Sequence, residues 1–165
     1  MANDLYTLGH SRHPIARFVE LLRAHEVACV ADARGKPFSR FNPQFNRERL
    51  RAALADAGIG YAWLGDRLAG KPVPPPFQRP DGSVDWSGVA RSGPFLDGIA
   101  ELAALARSAP TAMICAEENP RHCHRRFLLT PPMEAAGFRV LHIRGDGRLE
   151  AESDLRTEAA PLFER

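Results

Sequence analysis

The segment Cys115-Ala-Glu-Glu-Asn-Pro-Arg-His-Cys-His-Arg125 places two thiols, an imidazole and a guanidinium within eleven consecutive residues. A cysteine thiolate is a nucleophile, and its pKa falls beside a cation or at a helix N-terminus. Because a helix is predicted to begin in this segment, we expect Cys123 to be the reactive thiolate. The fork-shaped guanidinium of Arg125 suits a phosphate or carboxylate, and Glu117 is a candidate general acid or base. Cys115 and His124 are further candidate ligand contacts.

Polar side chains also follow two other predicted strands. His10 and Ser11 come after the first strand, and Asp32 and Arg34 end the second. The carboxyl ends of parallel strands meet at one edge of a sheet, where open α/β sheets bind their ligands. We therefore predict one site in which His10 and Asp32 orient groups or move protons, Arg34 holds an anion and Ser11 contacts the ligand. Chance placement of polar residues in loops is the alternative.

The segment 34–45 mixes cations, small turn residues and aromatic rings. Such a mixture suits an anionic ligand that carries a planar base, or a single strand of nucleic acid. In the other interpretation, the phenylalanines fill the edge of the core and Asn42-Pro43 sets a turn. The further ligand contacts predicted in this segment are Lys36, Ser39, Arg40 and Asn42.

Positive charge is concentrated in residues 34–51, which contain six cations and one anion, although the whole chain carries a net charge of only +2. A local basic surface indicates an anionic partner. The alternative function is therefore a nucleic-acid-binding module that uses this segment. An exposed helix face would equally account for Arg47, Arg49 and Arg51.

The thiols also allow other chemistry. Cys115, Cys123, His124 and His10 are residue types that bind zinc, but the two cysteines are eight positions apart and no Cys-x-x-Cys pair exists. A metal or thiol-redox site is thus a minority alternative, beside a purely structural pair of thiols. We assign no metal ligands, and the sequence identifies no cofactor. The third cysteine, Cys29, lies in an apolar run and is expected in the core.

Apolar runs alternate with helical patterns along the chain. The predicted strands are 5–9, 27–33, 59–64, 111–116 and 138–143. The predicted helices are 14–26, 46–57, 95–107 and about 121–136, the last interrupted or kinked at Pro131-Pro132. This alternation indicates βαβ units and an α/β fold, a Rossmann-like three-layer sandwich with a mainly parallel sheet of about five strands. The irregular, proline-rich stretch 65–93 is predicted to be a binding loop or a lid.

The composition is that of an ordinary globular domain, with 165 residues, 44% hydrophobic and 25% charged. We expect one domain over 1–165, with a core at 5–146 and a peripheral tail at 147–165. No apolar run approaches the length of a membrane helix, and residues 1–6 do not have the pattern of a signal peptide. The three cysteines form no disulfide framework. These features predict a cytoplasmic protein without a membrane partner, and they leave its oligomeric state open.

Three motifs resemble those of the domain of unknown function 488 (DUF488) family: Tyr6-Thr-Leu-Gly-His-Ser, Ala31-Asp-Ala-Arg-Gly-Lys-Pro-Phe-Ser-Arg-Phe-Asn-Pro-Gln-Phe45 and the segment from Cys115 to Arg125. The resemblance covers roughly residues 5–146 and implies a compact Rossmann-like domain. Two departures are Leu68-Ala-Gly-Lys-Pro, where the family usually has a Gly-Gly-Arg-like stretch, and Pro131-Pro132. By position, the family pattern falls on Gly9, His10, Ser11, Asp32, Arg34, Pro37, Ser39, Asn42, Pro43, Phe45, Cys115, Glu117, Pro120, Cys123, His124 and Arg125.

The family is named for its lack of an established activity, so the residues must supply a functional prediction. The favoured prediction is an enzyme, or a degenerate relative of one, with a Cys/His/Arg site that binds a small phosphate-bearing or nucleotide-like ligand. The nucleic-acid-binding module is the alternative, and the metal or thiol-redox site is the minority alternative.

Overall fold

The computed structural model describes residues 3–70, 73 and 75–157. Within them, one sheet contains β1 (Asn3–Gly9), β2 (Cys29–Asp32), β3 (Gly60–Trp63), β4 (Thr111–Cys115), β5 (Phe138–Ile143) and β6 (Leu149–Ala151). The strand order is β3-β2-β4-β1-β5-β6, and every neighbouring pair is parallel except β5 and β6. Because β2, β4 and β1 are adjacent and parallel, their carboxyl ends lie side by side. The strand order therefore brings the three polar turns of the sequence to one edge.

The described residues form seven α-helices, which are α1 (Ile15–Ala24), α2 (Arg47–Asp56), α3 (Gly65–Leu68), α4 (Trp86–Arg91), α5 (Gly93–Ser108), α6 (Thr130–Ala135) and α7 (Glu152–Arg156). Two 3-10 turns (Pro43–Phe45 and Pro120–His122) and one π-helical turn (Arg125–Leu129) add to them. The five predicted strands and the first three predicted helices are confirmed to within two residues at each end. No helix in these described residues is both long and apolar enough to cross a membrane.

Two apolar clusters cover the two faces of the sheet. Phe18 of α1 and Leu50 of α2 belong to one cluster, and Phe95 of α5 belongs to the other. Successive residues of β4 divide between them, with Ile114 in the first cluster and Met113 in the second. Side chains alternate along a strand, so a strand that is buried on both faces has a continuous apolar sequence. These two layers of helices confirm the predicted α/β three-layer sandwich.

The fourth predicted helix is divided because of its prolines. Instead of one kinked helix over about 121–136, the chain forms the 3-10 turn, the π-helical turn and α6 in succession. Pro131-Pro132 supplies no backbone N–H, and prolines are tolerated in the first turn of α6, where no donor is needed. Cys123 consequently lies between two short helical segments, in an extended conformation with φ −128° and ψ 141°.

The C-terminal region differs from the predicted peripheral tail. Strand β6 pairs with β5, and α7 places Leu155 and Glu152 in buried positions with 1% and 4% exposure. This region packs on the sheet because Leu155 is apolar and Glu152 finds buried charged partners. Residues 158–165 of the predicted tail lie outside the described residues.

Candidate functional site

A cavity of about 1200 Å³ opens at the carboxyl edge of the sheet. His10 follows β1, Arg34 follows β2, and Cys115 ends β4, and all three line its wall. The cavity also contains residues from the loop before α4 and from the segment after β4. The three polar turns that the sequence predicts to converge do meet here. Of the predicted site residues, those on the wall are His10, Arg34, Lys36, Ser39, Asn42, Cys115, Glu117, Cys123 and His124.

Cys115, Cys123 and Arg125 form one buried cluster, which we call the cysteine–arginine corner. The Sγ atoms of Cys115 and Cys123 are 2.8 Å apart, and Nη1 of Arg125 donates to Sγ of Cys115 over 2.6 Å. The two cysteines are only 2% and 5% exposed, and Arg125 is fully buried. At the inner wall of the cavity, Sγ of Cys115 therefore accepts a hydrogen bond from Arg125, and a second hydrogen bond joins the two sulfur atoms.

The Arg125 guanidinium has no carboxylate partner within ion-pair distance among the residues that the structure describes. Its Nη1 donates to the carbonyl oxygen of Glu117 as well as to Cys115, and its Nη2 donates to the carbonyl of Glu118 over 2.7 Å. A buried cation without a counter-charge is costly. A Cys115 thiolate supplies that charge at the observed distance.

Glycine at position 9 allows the loop after β4 to approach this closely. A Cβ atom at Gly9 would stand 1.7 Å from the carbonyl oxygen of Glu117, which is one of the acceptors of Arg125. The backbone N–H groups of His10 and Ser11 also donate to the carbonyls of Cys115 and Ala116 over 2.9 Å. The Gly9-His10-Ser11 motif thus holds the loop that presents both Cys115 and its cation.

The two thiols differ in the direction of their pKa shifts. Burial alone would raise the pKa of Cys115, but the Cys123 S–H and the Arg125 guanidinium outweigh burial and lower it to about 6. The hydrogen bond with Cys115, together with burial, raises the pKa of Cys123. These directions place the thiolate on Cys115, whereas the sequence-based prediction places it on Cys123. The difference arises because Arg125 points to Cys115, which the sequence does not reveal.

Two histidines of the wall are neutral at physiological pH. Burial lowers the pKa of His10 to about 4, and burial together with the Arg125 charge lowers that of His124 to about 4. Nδ1 of His10 lies 2.8 Å from the carbonyl oxygen of Ser11, an acceptor only, so Nδ1 carries the proton and Nε2 is an acceptor. The His10 ring stacks on Phe45 at 4.3 Å, which fixes its orientation. His10 is therefore a preoriented base or hydrogen-bond acceptor.

Asp32 orients Arg34 and does not line the cavity. Its carboxylate is fully buried and accepts from Nε and Nη2 of Arg34 over 2.9 and 2.8 Å. It also accepts from the Arg34 backbone N–H and, over 2.6 Å, from the hydroxyl of Tyr61. The Asp32 oxygens are thus occupied, which favours the orienting half of the predicted role over proton transfer. Nη1 of Arg34 makes no hydrogen bond with the described residues and remains available on the cavity side.

The two glutamates that follow β4, Glu117 and Glu118, have different surroundings. Glu117 is exposed on the cavity wall. Glu118 instead accepts from Arg144 over 2.9 and 3.0 Å and from the backbone N–H of Gly145. These bonds anchor the loop at its outer side, and they leave Glu117 as the carboxylate that faces a ligand.

The interpretation in which the segment 34–45 fills the core edge and forms a turn holds for part of it, and ligand binding by the exposed residues stays a prediction. Phe45 is fully buried in the core, and the Ser39 Oγ accepts the backbone N–H groups of Phe41 and Asn42 in a turn. Phe38 and Phe41, in contrast, are 63% and 80% exposed. The segment is an ordered loop that presents two aromatic rings to solvent, and of these Phe38 lines the cavity.

Besides Asp32, three predicted site residues do not line the cavity. Arg125 lies behind Cys115, so its observed partner is the thiol and not an external anion. Arg40 packs its guanidinium over the ring of Phe41 at 4.9 Å. Ser11 has a φ of 48° and contributes through its backbone. Their side chains are therefore not placed for direct contact with a ligand in the cavity.

Sequence reasoning missed wall residues from the irregular stretch before α4. Arg79, Asp81, Ser83 and Trp86 line the cavity, and an isolated bridge between Gln78 and Val84 orders this loop. The unusual length of the loop signalled a binding role, but no residue in it had a recognisable spacing. His122 and Phe127 were also missed, although both lie beside the predicted cysteine segment.

No cluster of three or more His, Cys, Asp or Glu residues with metal-binding geometry is found in residues 3–70, 73 and 75–157. The zinc alternative required Cys115, Cys123, His124 and His10 to converge. His124 Nδ1 lies 3.8 Å from Cys123 Sγ, but His10 hydrogen-bonds through its own Nδ1 to the Ser11 carbonyl. The residues are close to one cavity without forming one ligand set.

Comparison with known proteins yields a single match. The model of the family described as "Domain of unknown function DUF488" matches residues 14–130. No curated protein and no solved structure matches the chain. The matched residues span more than half of the chain and include the basic loop and the whole segment from Cys115 to Arg125. The second and third sequence motifs lie within the match, and the first, Tyr6–Ser11, lies before it. The resemblance is therefore confirmed over residues 14–130, and the chain belongs to the DUF488 family.

Proposed function

We propose that this protein is an enzyme in which Cys115 is the nucleophile and the ligand is a small phosphate-bearing, nucleotide-like molecule. The observation that carries the proposal is the buried Arg125 guanidinium, which donates to the Cys115 sulfur over 2.6 Å and has no carboxylate within ion-pair distance among the described residues. A structural cysteine has no need of a cation. A nucleophilic one requires it, because only the thiolate attacks.

The proposed reaction is group transfer through a covalent intermediate. Sγ of Cys115 forms a bond with an electrophilic phosphorus or carbon atom of the ligand, and the bond to the leaving group breaks with its electron pair. Water in the cavity, which is open to solvent at Glu117, supplies a proton to the leaving group. A water molecule that donates to Nε2 of His10 then displaces the cysteine and restores the thiolate.

Cationic donors on the cavity wall support an anionic ligand. Arg34, Lys36 and Arg79 line the wall together with Asp81 and Glu117, while Asp32 pairs with Arg34 and Asp85 pairs with Arg79. Asp32 holds Arg34 by two hydrogen bonds and so fixes the direction of Nη1 without access to the ligand. A preoriented guanidinium and a flexible lysine suit the oxygens of a phosphate.

The aromatic residues of the same wall support a planar base. Phe38, Trp86 and Phe127 line the cavity, and the rings of Trp86 and Phe127 meet edge to face at 5.2 Å. Aromatic side chains bind bases by stacking and discriminate little between them. The arrangement therefore specifies a class of ligand, a nucleotide, without specifying its base.

Alkylation of Cys115 by iodoacetamide, followed by peptide mass spectrometry across a pH series, tests the proposal. We expect Cys115 to react with a midpoint near pH 6, and adenosine monophosphate to protect it while adenosine does not. A Cys29→Ser variant is the matched control, because Cys29 lies on β2 and is not part of the cavity. Cysteines that react only on unfolding would contradict the proposal, as would protection that is the same for nucleoside and nucleotide.

The exposed rings of Phe38 and Phe41 favour one second candidate, the nucleic-acid-binding module. Arg40 stacks on Phe41, and such cation–aromatic pairs occur in surfaces that bind single strands. Binding of a fluorescent single-stranded oligonucleotide should then weaken steeply with salt, fall in Phe41→Ala and persist in Cys123→Ser. Lack of binding at low salt would reject this candidate.

A further inference from the structure

The two sulfur atoms of the cysteine–arginine corner are close enough for a reaction between them. Their separation of 2.8 Å exceeds the length of a disulfide bond, about 2.05 Å, by less than 1 Å. Cys115 ends a central strand, whereas Cys123 lies in an extended conformation between two short helical segments. A small shift of the Cys123 side chain can therefore close the gap without disturbing the sheet.

We propose that Cys115 is a site of oxidation by hydroperoxides and that Cys123 converts the oxidised residue to an intramolecular disulfide. The inference rests on the proposed function to the extent that both require the Cys115 thiolate. It adds a reversible modification that switches the same site off, because a disulfide has no nucleophilic sulfur.

The reaction proceeds in two balanced steps. In the first step, Sγ of Cys115 attacks the terminal oxygen of a hydroperoxide and the O–O bond breaks, which leaves a sulfenic acid on Cys115. The departing alkoxide or hydroxide takes a proton from solvent. Sγ of Cys123 then attacks the Cys115 sulfur, and the released hydroxide combines with the Cys123 proton to form water. The hydroperoxide is reduced by two electrons, and the thiol pair is oxidised by two. A small dithiol reverses the change by exchange.

The surroundings of the two thiols match the two roles. The attacking sulfur is the one that receives the hydrogen bond of Arg125, and the resolving sulfur is the one that donates toward Cys115. Both line the cavity of about 1200 Å³, so a small peroxide can reach them although they are 2% and 5% exposed. Cys29 has no thiol partner among the described residues. The pairing of Cys115 with Cys123 is therefore specific.

Oxidation also changes the charge of the corner. The disulfide is neutral, so Arg125 loses its anionic partner and retains only the carbonyls of Glu117 and Glu118. A buried cation without a counter-charge favours reduction back to the thiolate. The charge of Arg125 thus promotes the first step and also makes the modification reversible.

The test is to treat the reduced full-length chain with one equivalent of hydrogen peroxide, block the remaining thiols with N-ethylmaleimide and map the peptides by mass spectrometry. We expect a Cys115–Cys123 disulfide with Cys29 blocked, and about a ten-fold loss of Cys115 alkylation that dithiothreitol restores. The Cys123→Ser variant should accumulate a sulfenic acid on Cys115 that dimedone traps. The Cys29→Ser control should form the same disulfide as the unaltered chain.

The outcomes separate this inference from the proposed function. If Cys115 is alkylated near pH 6 but peroxide leaves it unchanged, oxidises it to the sulfinic acid, or links it to Cys29 or to a second chain, the inference is overturned and the nucleophile stands. If Cys115 reacts with neither iodoacetamide nor peroxide in the folded protein, both fail. Formation of the Cys115–Cys123 disulfide without protection by nucleotide supports the inference and rejects the proposed ligand.

Discussion

Two of the buried polar clusters among the described residues differ in how their charges are balanced. In the His142 cluster, Nε2 of His142 lies 2.9 Å from Glu152, Nδ1 lies 2.7 Å from the Thr7 hydroxyl, and Glu152 also pairs with Arg126. Every charge there has a partner of opposite sign, and none of these residues lines the cavity. In the cysteine–arginine corner, no carboxylate of the described residues lies within ion-pair distance of Arg125, and the ionisable group in contact with its guanidinium is the Cys115 thiol.

The comparison teaches that burial of charge does not by itself indicate a functional site. The His142 cluster joins β1, β5 and α7, and Thr7 and His142 are register partners, so its role is to attach the C-terminal helix to the sheet. The cysteine–arginine corner instead gains its balance from a reactive group. We therefore expect substitutions in the first cluster to change stability alone, and substitutions in the second to change Cys115 reactivity.

The largest effect is expected for Arg125→Met. Loss of the guanidinium removes the cation that lowers the pKa of Cys115, so the alkylation rate of Cys115 at pH 6.5 should fall on the order of ten- to fifty-fold. Arg126→Met is the matched control in the neighbouring position, because Arg126 pairs with Glu152 in the other cluster. If Cys115 is alkylated at the same rate in the two variants, the claim that Arg125, and not Arg126, controls its reactivity is wrong.

Gly9→Ala should have the next largest effect. The new Cβ would stand 1.7 Å from the Glu117 carbonyl oxygen, so the loop must move and Arg125 loses an acceptor. We expect a loss of about 1–3 kcal/mol in the free energy of unfolding together with slower alkylation of Cys115. Gly93→Ala, where nothing lies within 4 Å of the added Cβ, should leave both unchanged. Urea denaturation and alkylation kinetics measure the two quantities, and an unaffected Gly9→Ala protein would contradict the loop geometry.

Glu152→Gln should affect stability only. The substitution leaves His142 and Arg126 without their shared anion, which we expect to lower the free energy of unfolding by about 1–3 kcal/mol in urea denaturation. Cys115 alkylation should match that of the unaltered chain. A change in Cys115 reactivity larger than about two-fold would mean that the two clusters are coupled.

The last expected effect is a difference in how the free energy of unfolding depends on pH. Cys115 has its pKa lowered from 9.0 to about 6, so the unfolded chain binds more protons between these values and stability falls as pH decreases from 9 to 6. His142 and Glu152 also have lowered pKa values, from 6.5 and 4.5, so their contribution is lost only below pH 6.5. The Cys115→Ser variant should lose the change between pH 6 and 9 and retain the loss at lower pH. A Cys115→Ser curve parallel to that of the unaltered chain would contradict this assignment.

The sequence predicts the fold well because the signals are local. Continuous apolar runs such as Thr111–Cys115 identify strands that are covered on both faces, and the polar residues at strand ends identify the edge that carries the cavity. The pairing of β2, β4 and β1 cannot be inferred from the sequence, because strand order depends on long-range contacts. The sequence therefore predicts that the polar turns converge, and the observed strand order shows that they do.

The assignment of roles within the site depends on side-chain direction, which local patterns do not contain. Cys123 has the more promising sequence context, beside His124 and before a helix, yet Arg125 turns back to Cys115 at the end of β4. Asp32 is a residue type that often transfers protons in catalysis. Its oxygens, however, accept hydrogen bonds from Arg34 and Tyr61. The wall residues before α4 come from a stretch without periodicity, where sequence reasoning has only loop length to use.

The most direct test of the central claim is an ultraviolet titration of thiolate absorbance in the Cys29→Ser protein, with the Cys29→Ser/Cys115→Ser protein as reference. The account predicts that one thiolate appears with a midpoint near pH 6 and that the signal is absent from the reference. Two results would contradict the account: a thiolate that forms only when the pH approaches the ordinary pKa of cysteine, or a signal that persists without Cys115. In either case the buried charge of Arg125 is not balanced by Cys115, and the proposed nucleophile is wrong.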